Sequence, residues 1–369
     1  MTAIIIIGIL TLVIICFQSQ GVPVLLFHQV NQLSSVSPDV VKKYFRFLKE
    51  HNYNTLTLAE ADLIKKSGKR LPRKTVIITF DDGYYDNFSI VYPMMKEFNI
   101  KATFFINTLF IKDTADRSVM VIKHSDSVNA DLAASFFKGE DCRSDQYMTW
   151  AEMKEMNQSS LADFQCHSHK HGMVFSDFVI RDVITKEEFS SGLWHVFNGK
   201  PKIGYPVFRM RGETSARRHT VSTSFLEEFQ TFYAKELSGV KKRERVRLSN
   251  AYMMQQNKHE ITRVEDEKEY IERIQQELTV NKDLIIKNLK IPVNAYAWPY
   301  GHKNQQAIPS LKKIGFQYFL TCKKGTNTRS FNTDFIYRIE LRKPTFDKLK
   351  WFTRMNANLL VGIVYRFIS

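Results

Sequence analysis

Short apolar runs of strand length recur along the chain and alternate with segments whose apolar residues fall at helical spacing. The runs are Val22 to Phe27, Val76-Ile77-Ile78, Ala102 to Asn107, Leu161 to Phe164, Val293 to Trp298, Phe316 to Cys322 and Phe335 to Leu341. Between them, residues 38–51 place Val40, Val41, Tyr44, Phe45, Phe47 and Leu48 on one helical face after Ser37-Pro38, a good helix start. Helices are also predicted over Ala59 to Lys66, Tyr84 to Phe98 despite Pro93, Trp150 to Met156 and Gln305 to Ile314. Strands that alternate with helices predict parallel βαβ units, hence an α/β fold.

Two stretches depart from this rhythm. Thr108 to Gln146 is polar and irregular and reads as a surface excursion. Gly172 to Pro292 contains Arg209-Met210-Arg211-Gly212-Glu213, a basic run from Lys241 to Arg247, and an apolar helical stripe through Ile271, Ile274, Leu278, Ile285 and Leu289. It reads as a helical cap on the barrel, or as the wall of a groove with Arg209 or Arg211 reaching the site. In the tail, Leu349, Phe352, Met355, Leu359, Ile363 and Phe367 again keep helical spacing, beside Lys348, Lys350, Arg354 and Arg366. A closing barrel helix is expected there, with a membrane-interface helix as the alternative.

Ala3 to Phe17 is an almost unbroken apolar run, short for a spanning helix. It suits a signal-peptide core or a membrane anchor over residues 1–21, with a buried core strand as the plainer reading. The first positive charges, Lys42 and Lys43, lie behind it, which leans toward a cytoplasmic body. A net charge of +15 predicts a surface that attracts anions such as acidic glycans or lipid phosphates. No zinc-finger, helix-turn-helix or RNA-binding signature supports a nucleic-acid partner. The four cysteines, Cys16, Cys142, Cys166 and Cys322, show no metal-ligand spacing and no disulfide framework.

Candidate chemistry gathers where apolar runs end. Thr79-Phe80-Asp81-Asp82-Gly83 sets two carboxylates at a strand end, and adjacent strand residues share one site only if the backbone turns there. A solvated Asp-Asp-Gly turn is the bland alternative. Cys166-His167-Ser168-His169-Lys170-His171 ends another run in three imidazoles. If the segment coils into a turn, His167 and His171 suit one ion, and two histidines with a carboxylate make a protein triad for a catalytic divalent metal. If it is extended, His167, His169 and His171 share one face and a three-histidine set is the better arrangement.

Thr79 to Gly83 followed by His167-Ser168-x-x-His171 resembles the first two motifs of the NodB-type polysaccharide deacetylases, carbohydrate esterase family 4. The opening Val22 to Val30 and the later Ala297-Trp298-Pro299-Tyr300-Gly301 resemble the branch that acts on poly-N-acetylglucosamine. The resemblance implies a distorted seven-stranded (β/α) barrel over residues 22–369, with a long helical insertion at about 172–292. It implies Asp81 as general base, Asp82, His167 and His171 as ligands of a divalent metal, most simply Zn2+, and the backbone N–H of Tyr300 as an oxyanion donor. Sugar stacking on Trp298 or Tyr300 is a further expectation.

Two positions differ from the family pattern. Ala297 stands where many members carry the arginine that orients the base, leaving Arg338, Arg209 and Arg211 as substitutes. No C-terminal Leu-x-x-His element supplies a general acid, so His28, His302 and Asp81 itself are the candidates. The expected activity is metal-dependent N-deacetylation of N-acetylhexosamine units in a cell-surface polysaccharide or its lipid-linked precursor. An O-acetyl esterase and a catalytically weak glycan-binding protein are the alternatives. The family leans toward a membrane-associated location on the extracytoplasmic side of the cell envelope.

Overall fold

In a computed structural model that describes residues 20–118, 120–330 and 332–368, the apolar runs form one parallel sheet. In chain order its strands are β1 (Val24–Phe27), β2 (Asn54–Leu56), β3 (Thr75–Asp82), β4 (Ala102–Asn107), β5 (Ala162–Ser168), β6 (Ala295–Ala297), β7 (Tyr318–Leu320) and β8 (Ile339–Glu340). Seven of them run in the order β7-β6-β5-β4-β3-β1-β8, while β2 pairs with the start of β3 off that path. Residues 336–340 tie the two ends together. The Ile336 N–H donates to the Phe319 carbonyl at 2.9 Å, and Ile339 and Glu340 pair with Leu25 and Leu26 of β1.

Strand periodicity sorts the side chains into two layers. Val76, Ile78, Phe80, Phe104, Phe164 and Tyr296 meet the surrounding helices, and in-register parallel pairing stacks Phe80 on Phe104 and Phe104 on Phe164 with centroids 5.1 and 5.4 Å apart. Ile77, Phe105, Ala295, Ala297, Leu320 and Ile336 fill the interior. Asp81 continues the inward series of Ile77 and Thr79. This α/β barrel is the architecture expected from the sequence.

Residues 172–292 differ from the expected helical cap. Met173–Val183, Pro206–Gly212, His219–Val221 and Thr262–Val264 form a separate four-stranded antiparallel sheet. Helices over Thr223–Phe232 and Lys242–Met254 cover it around a core that includes Phe175, Ile180, Phe208, Phe225 and Phe229. The long helix Glu267–Leu289 belongs to the barrel, because Tyr270, Ile274, Leu278, Ile285 and Leu289 bury in the main core. The excursion after β4 is also more ordered than its polarity suggests, since Ser125–Lys138 is a helix ended by Gly139 at φ 75°.

The tail helix Phe346–Ala357 closes the barrel as expected: Leu349 is buried, and the Thr353 and Tyr44 hydroxyls are 2.7 Å apart. The apolar run Ala3 to Phe17 lies outside the described residues. Among the described residues, no helix is long and apolar enough to cross a membrane.

Candidate active site

At the C-terminal end of the strands the two carboxylates of β3 meet His167 at the end of β5 and His171 just beyond it. Asp82 adopts φ 75°, so the backbone turns at Asp82 itself as well as at Gly83. That turn lets neighbouring residues face one site: Asp82 Oδ1 lies 3.5 Å from His167 Nε2, and Asp81 Oδ2 lies 4.0 Å from the same nitrogen. His171, at φ 54°, brings its Nε2 to 3.5 Å from Asp82 Oδ1. Tyr300, at φ 58°, lays its ring 4.4 Å from the His171 ring and donates its hydroxyl to the His171 carbonyl. Left-handed conformations at three non-glycine residues store strain where the side chains converge.

Asp81 is held by Arg338. Nη1 and Nη2 donate to Oδ1 and Oδ2 at 2.7 and 2.8 Å, and the guanidinium is wholly buried. Burial alone would raise the Asp81 pKa, but Arg338, aided by His167, outweighs it and holds the carboxyl below its usual range. Of the three arginines considered from sequence, this one reaches Asp81. Arg209 pairs with Asp177 on the surface.

The chemistry of the donor set fits a divalent metal. His167 uses Nδ1 toward the Ala297 carbonyl at 2.8 Å, which fixes the tautomer and leaves the Nε2 lone pair facing Asp82. Asn107 donates to Asp82 Oδ1 at 3.0 Å. Burial lowers the His167 pKa and takes that of His171 down to about 4, so both rings are neutral at pH 7, as metal ligation requires. The donor atoms of Asp82, His167 and His171 lie within 4.8 Å of one another. Bonds of about 2.1 Å in tetrahedral geometry place ligand atoms roughly 3.4 Å apart, close to the two Asp82–histidine separations.

The segment after Ser168 turns rather than extends, so His169 faces away: its Nδ1 lies 2.9 Å from the Thr108 hydroxyl. This removes the three-histidine arrangement. Trp298 is buried and unavailable as a sugar platform, whereas Tyr300 is partly exposed. His28, at the end of β1, acts electrostatically on Asp81, Asp82 and His171. His302 is engaged elsewhere, accepting the Gly212 N–H at Nδ1.

Sequence reading missed the brace behind the His167–His171 loop. From the helix Glu267–Leu289, Glu277 Oε1 accepts the backbone N–H groups of His169 and Lys170 at 2.9 and 2.6 Å. One turn on, Asn281 Nδ2 donates to the Ser168 carbonyl at 2.6 Å and the Ile106 carbonyl at 3.1 Å. Two polar residues inside an otherwise apolar stripe were the available signal.

Residues 68–188 match the family model described as polysaccharide deacetylase. The chain is 22% identical over 293 residues to the poly-beta-1,6-N-acetyl-D-glucosamine N-deacetylase of Escherichia coli K12, a match covering 79% of this chain and 31% of that protein. It is 28% identical over 135 residues to the enzyme of the same name from Staphylococcus aureus MSSA476, covering 37% of each. The matched part therefore spans about a third of the length of these curated relatives. A solved de-N-acetylase from Aggregatibacter actinomycetemcomitans shares the fold, with a TM-score of 0.58 at 19% identity over 90% of this chain and 99% of that one.

Proposed function

We propose that the chain is a polysaccharide deacetylase that removes N-acetyl groups from N-acetylhexosamine units of a surface polysaccharide or its lipid-linked precursor; the match of residues 68–188 to the polysaccharide deacetylase family model supports this reading. The observation that supports this reading most directly is the buried Asp82–His167–His171 cluster beside an arginine-held Asp81.

Asp82, His167 and His171 would hold the metal, for which Zn2+ suits a donor set of two imidazoles and one carboxylate. When bound, such an ion supplies Lewis acidity that activates water and polarises a carbonyl. Asp81, anionic and fixed by two hydrogen bonds, takes the proton from the attacking water on Oδ2, its oxygen closer to the histidines. Arg338 keeps that oxygen aimed and stops the carboxylate from rotating away. The backbone N–H of Tyr300 donates to the oxyanion, a placement made possible by the Pro299–Gly301 turn. His28 protonates the departing amine. Its charge is felt by both Asp81 and Asp82, and its ring is not committed to a backbone contact, as that of His302 is. The Tyr300 ring gives the sugar a partly exposed apolar face beside His171.

The protein works at the cell envelope, associated with the membrane through the apolar segment Ala3 to Phe17, on the extracytoplasmic side where such glycans lie.

The test is amine release from β-1,6-linked N-acetylglucosamine oligomers by the purified chain, before and after chelation and with zinc restored. Activity abolished by chelator and recovered with zinc is expected. Silence on these oligomers with stoichiometric metal bound would redirect the substrate toward O-acetyl esters, and silence without bound metal would overturn the enzyme reading.

A further inference from the structure

Beside the site just described lies a cavity of about 480 Å³, between the inserted sheet and the helix Ser125–Lys138. Its volume falls in the range of small-molecule sites, ~300–1,000 Å³. We propose that this cavity is a second saccharide-binding position, which seats an N-acetylhexosamine unit of the same chain some way from the one being deacetylated. The inference rests on the deacetylase reading for the identity of the glycan.

The lining has the chemistry of a sugar site. Phe137 and Phe175 give it an apolar wall, with the His195 ring set edge-on to Phe137 at 5.3 Å. Opposite charges face the same space. Glu213 is buried, and its Oε1 has no hydrogen-bond partner among the described residues. Lys170 Nζ lies 3.8 Å from Glu213 Oε2, and Arg218 opens onto the cavity from an exposed position. A buried carboxylate oxygen without a partner is costly, and a ligand hydroxyl that donates to it removes the cost. An anionic ligand would meet Glu213, and a cationic one Lys170 and Arg218. A neutral polyhydroxylated ring can instead donate to the carboxylate, accept from the cations and lay its C–H face on the aromatic wall.

The cavity and the reacting site share two walls. Lys170 directly precedes His171, and Gly212 directly precedes Glu213. Glycine allows close packing at both: a Cβ on Gly172 would come within 2.5 Å of Glu213 Oε1, and one on Gly212 within 3.2 Å of the Tyr300 ring. The cavity therefore adjoins the Tyr300–His171 end of the reacting site. The family motifs do not contribute Phe137, His195, Glu213 or Arg218, so the position belongs to this chain's excursion and insertion.

The experiment separates this position from catalysis. Binding of a β-1,6-linked N-acetylglucosamine pentamer and of the dimer is measured by calorimetry in Asp81→Asn protein, which does not turn over, with and without Arg218→Ala or Phe137→Ala. Deacetylation of the same oligomers is measured in the wild-type background. The pentamer is expected to bind at least about tenfold more tightly than the dimer, and either cavity substitution is expected to collapse that ratio toward one in binding and in kcat/KM. Loss of pentamer binding in the cavity variants would support the position even if the wild type released no amine. Unchanged pentamer binding and turnover in both variants would overturn it while leaving the deacetylase reading intact. Absence of any pentamer binding would overturn it too.

Discussion

Arg338 and Asp81 lie 257 positions apart in sequence, yet the guanidinium grips both carboxylate oxygens inside the barrel, where neither residue meets solvent appreciably. Arg338 stands in the segment that joins the two ends of the sheet, so barrel closure and the fixing of the Asp81 carboxylate are one structural event. Removing one partner leaves an unpaired buried charge. Arg338→Met is expected to lower stability by about 3–5 kcal/mol, read by denaturant unfolding. Arg338→Lys keeps the charge but not the fork. It should fold and lose at least about tenfold in kcat with little change in KM. Full activity in the lysine variant would show that the bidentate geometry does not matter.

That relationship also marks how far the sequence could be read. The strands were legible because runs such as Val76 to Ile78 have no other plausible burial, and the Asp81-Asp82 and His167–His171 motifs because their residue types and spacing are restrictive. Arg338 was one of three arginines, and nothing local distinguishes it: only pairing of Ile336 with β7 and of Ile339 with β1 turns it inward. The inserted sheet was missed because its strands are short or irregular. Met173–Val183 pairs with Pro206–Gly212 through two shifts of register, which breaks the clean alternation a strand otherwise shows. Glu277 and Asn281 were hidden for a related reason, since a polar residue on an apolar stripe declares a partner but does not say which.

Metal binding distinguishes the turned histidine segment from an extended one. Asp82→Asn and His171→Ala should each lower zinc affinity by at least about a hundredfold, whereas His169→Ala should keep stoichiometric zinc because its ring faces Thr108. Metal content after dialysis against a competing chelator measures both. A bound ligand also stabilises the fold, so saturating zinc should raise the midpoint of wild-type and His169→Ala protein and leave the other two unmoved. Loss of zinc from His169→Ala would return the three-histidine set.

Asp163 gives a pH dependence away from the site. It accepts hydrogen bonds from Gln165, Thr103 and the Ala59 N–H, but burial dominates and lifts its pKa to about 6. The folded state therefore holds a proton between about pH 4 and 6 that the unfolded chain releases. This contribution to stability is present below pH 4 and is lost as pH rises through 6, by up to about 3 kcal/mol. Asp163→Asn cannot titrate, so the difference in unfolding free energy between wild type and variant should shift by 1–3 kcal/mol, as an order of magnitude, between pH 4.5 and 7. A difference that stays flat across that range would remove Asp163 as the titrating group.

The brace from the long helix is the last point at which packing and chemistry meet. Glu277 accepts two backbone N–H groups from the turn between His167 and His171 and lies 3.3 Å from Lys170 Nζ. The turn has few other ways to satisfy those donors, because the segment is half-buried and His171 is already committed to a left-handed conformation. Glu277→Ala orphans both, at a cost of about 2–3 kcal/mol, and frees the turn that sets the His167–His171 separation. Zinc affinity should fall with it, although Glu277 is not among the proposed ligands. Glu277→Gln keeps a carbonyl oxygen that can accept the same two bonds, so if bracing is its role the glutamine variant should regain most of the zinc affinity and of the unfolding free energy. If glutamine proved as damaging as alanine, the charge opposite Lys170 would be the essential feature instead of the two hydrogen bonds.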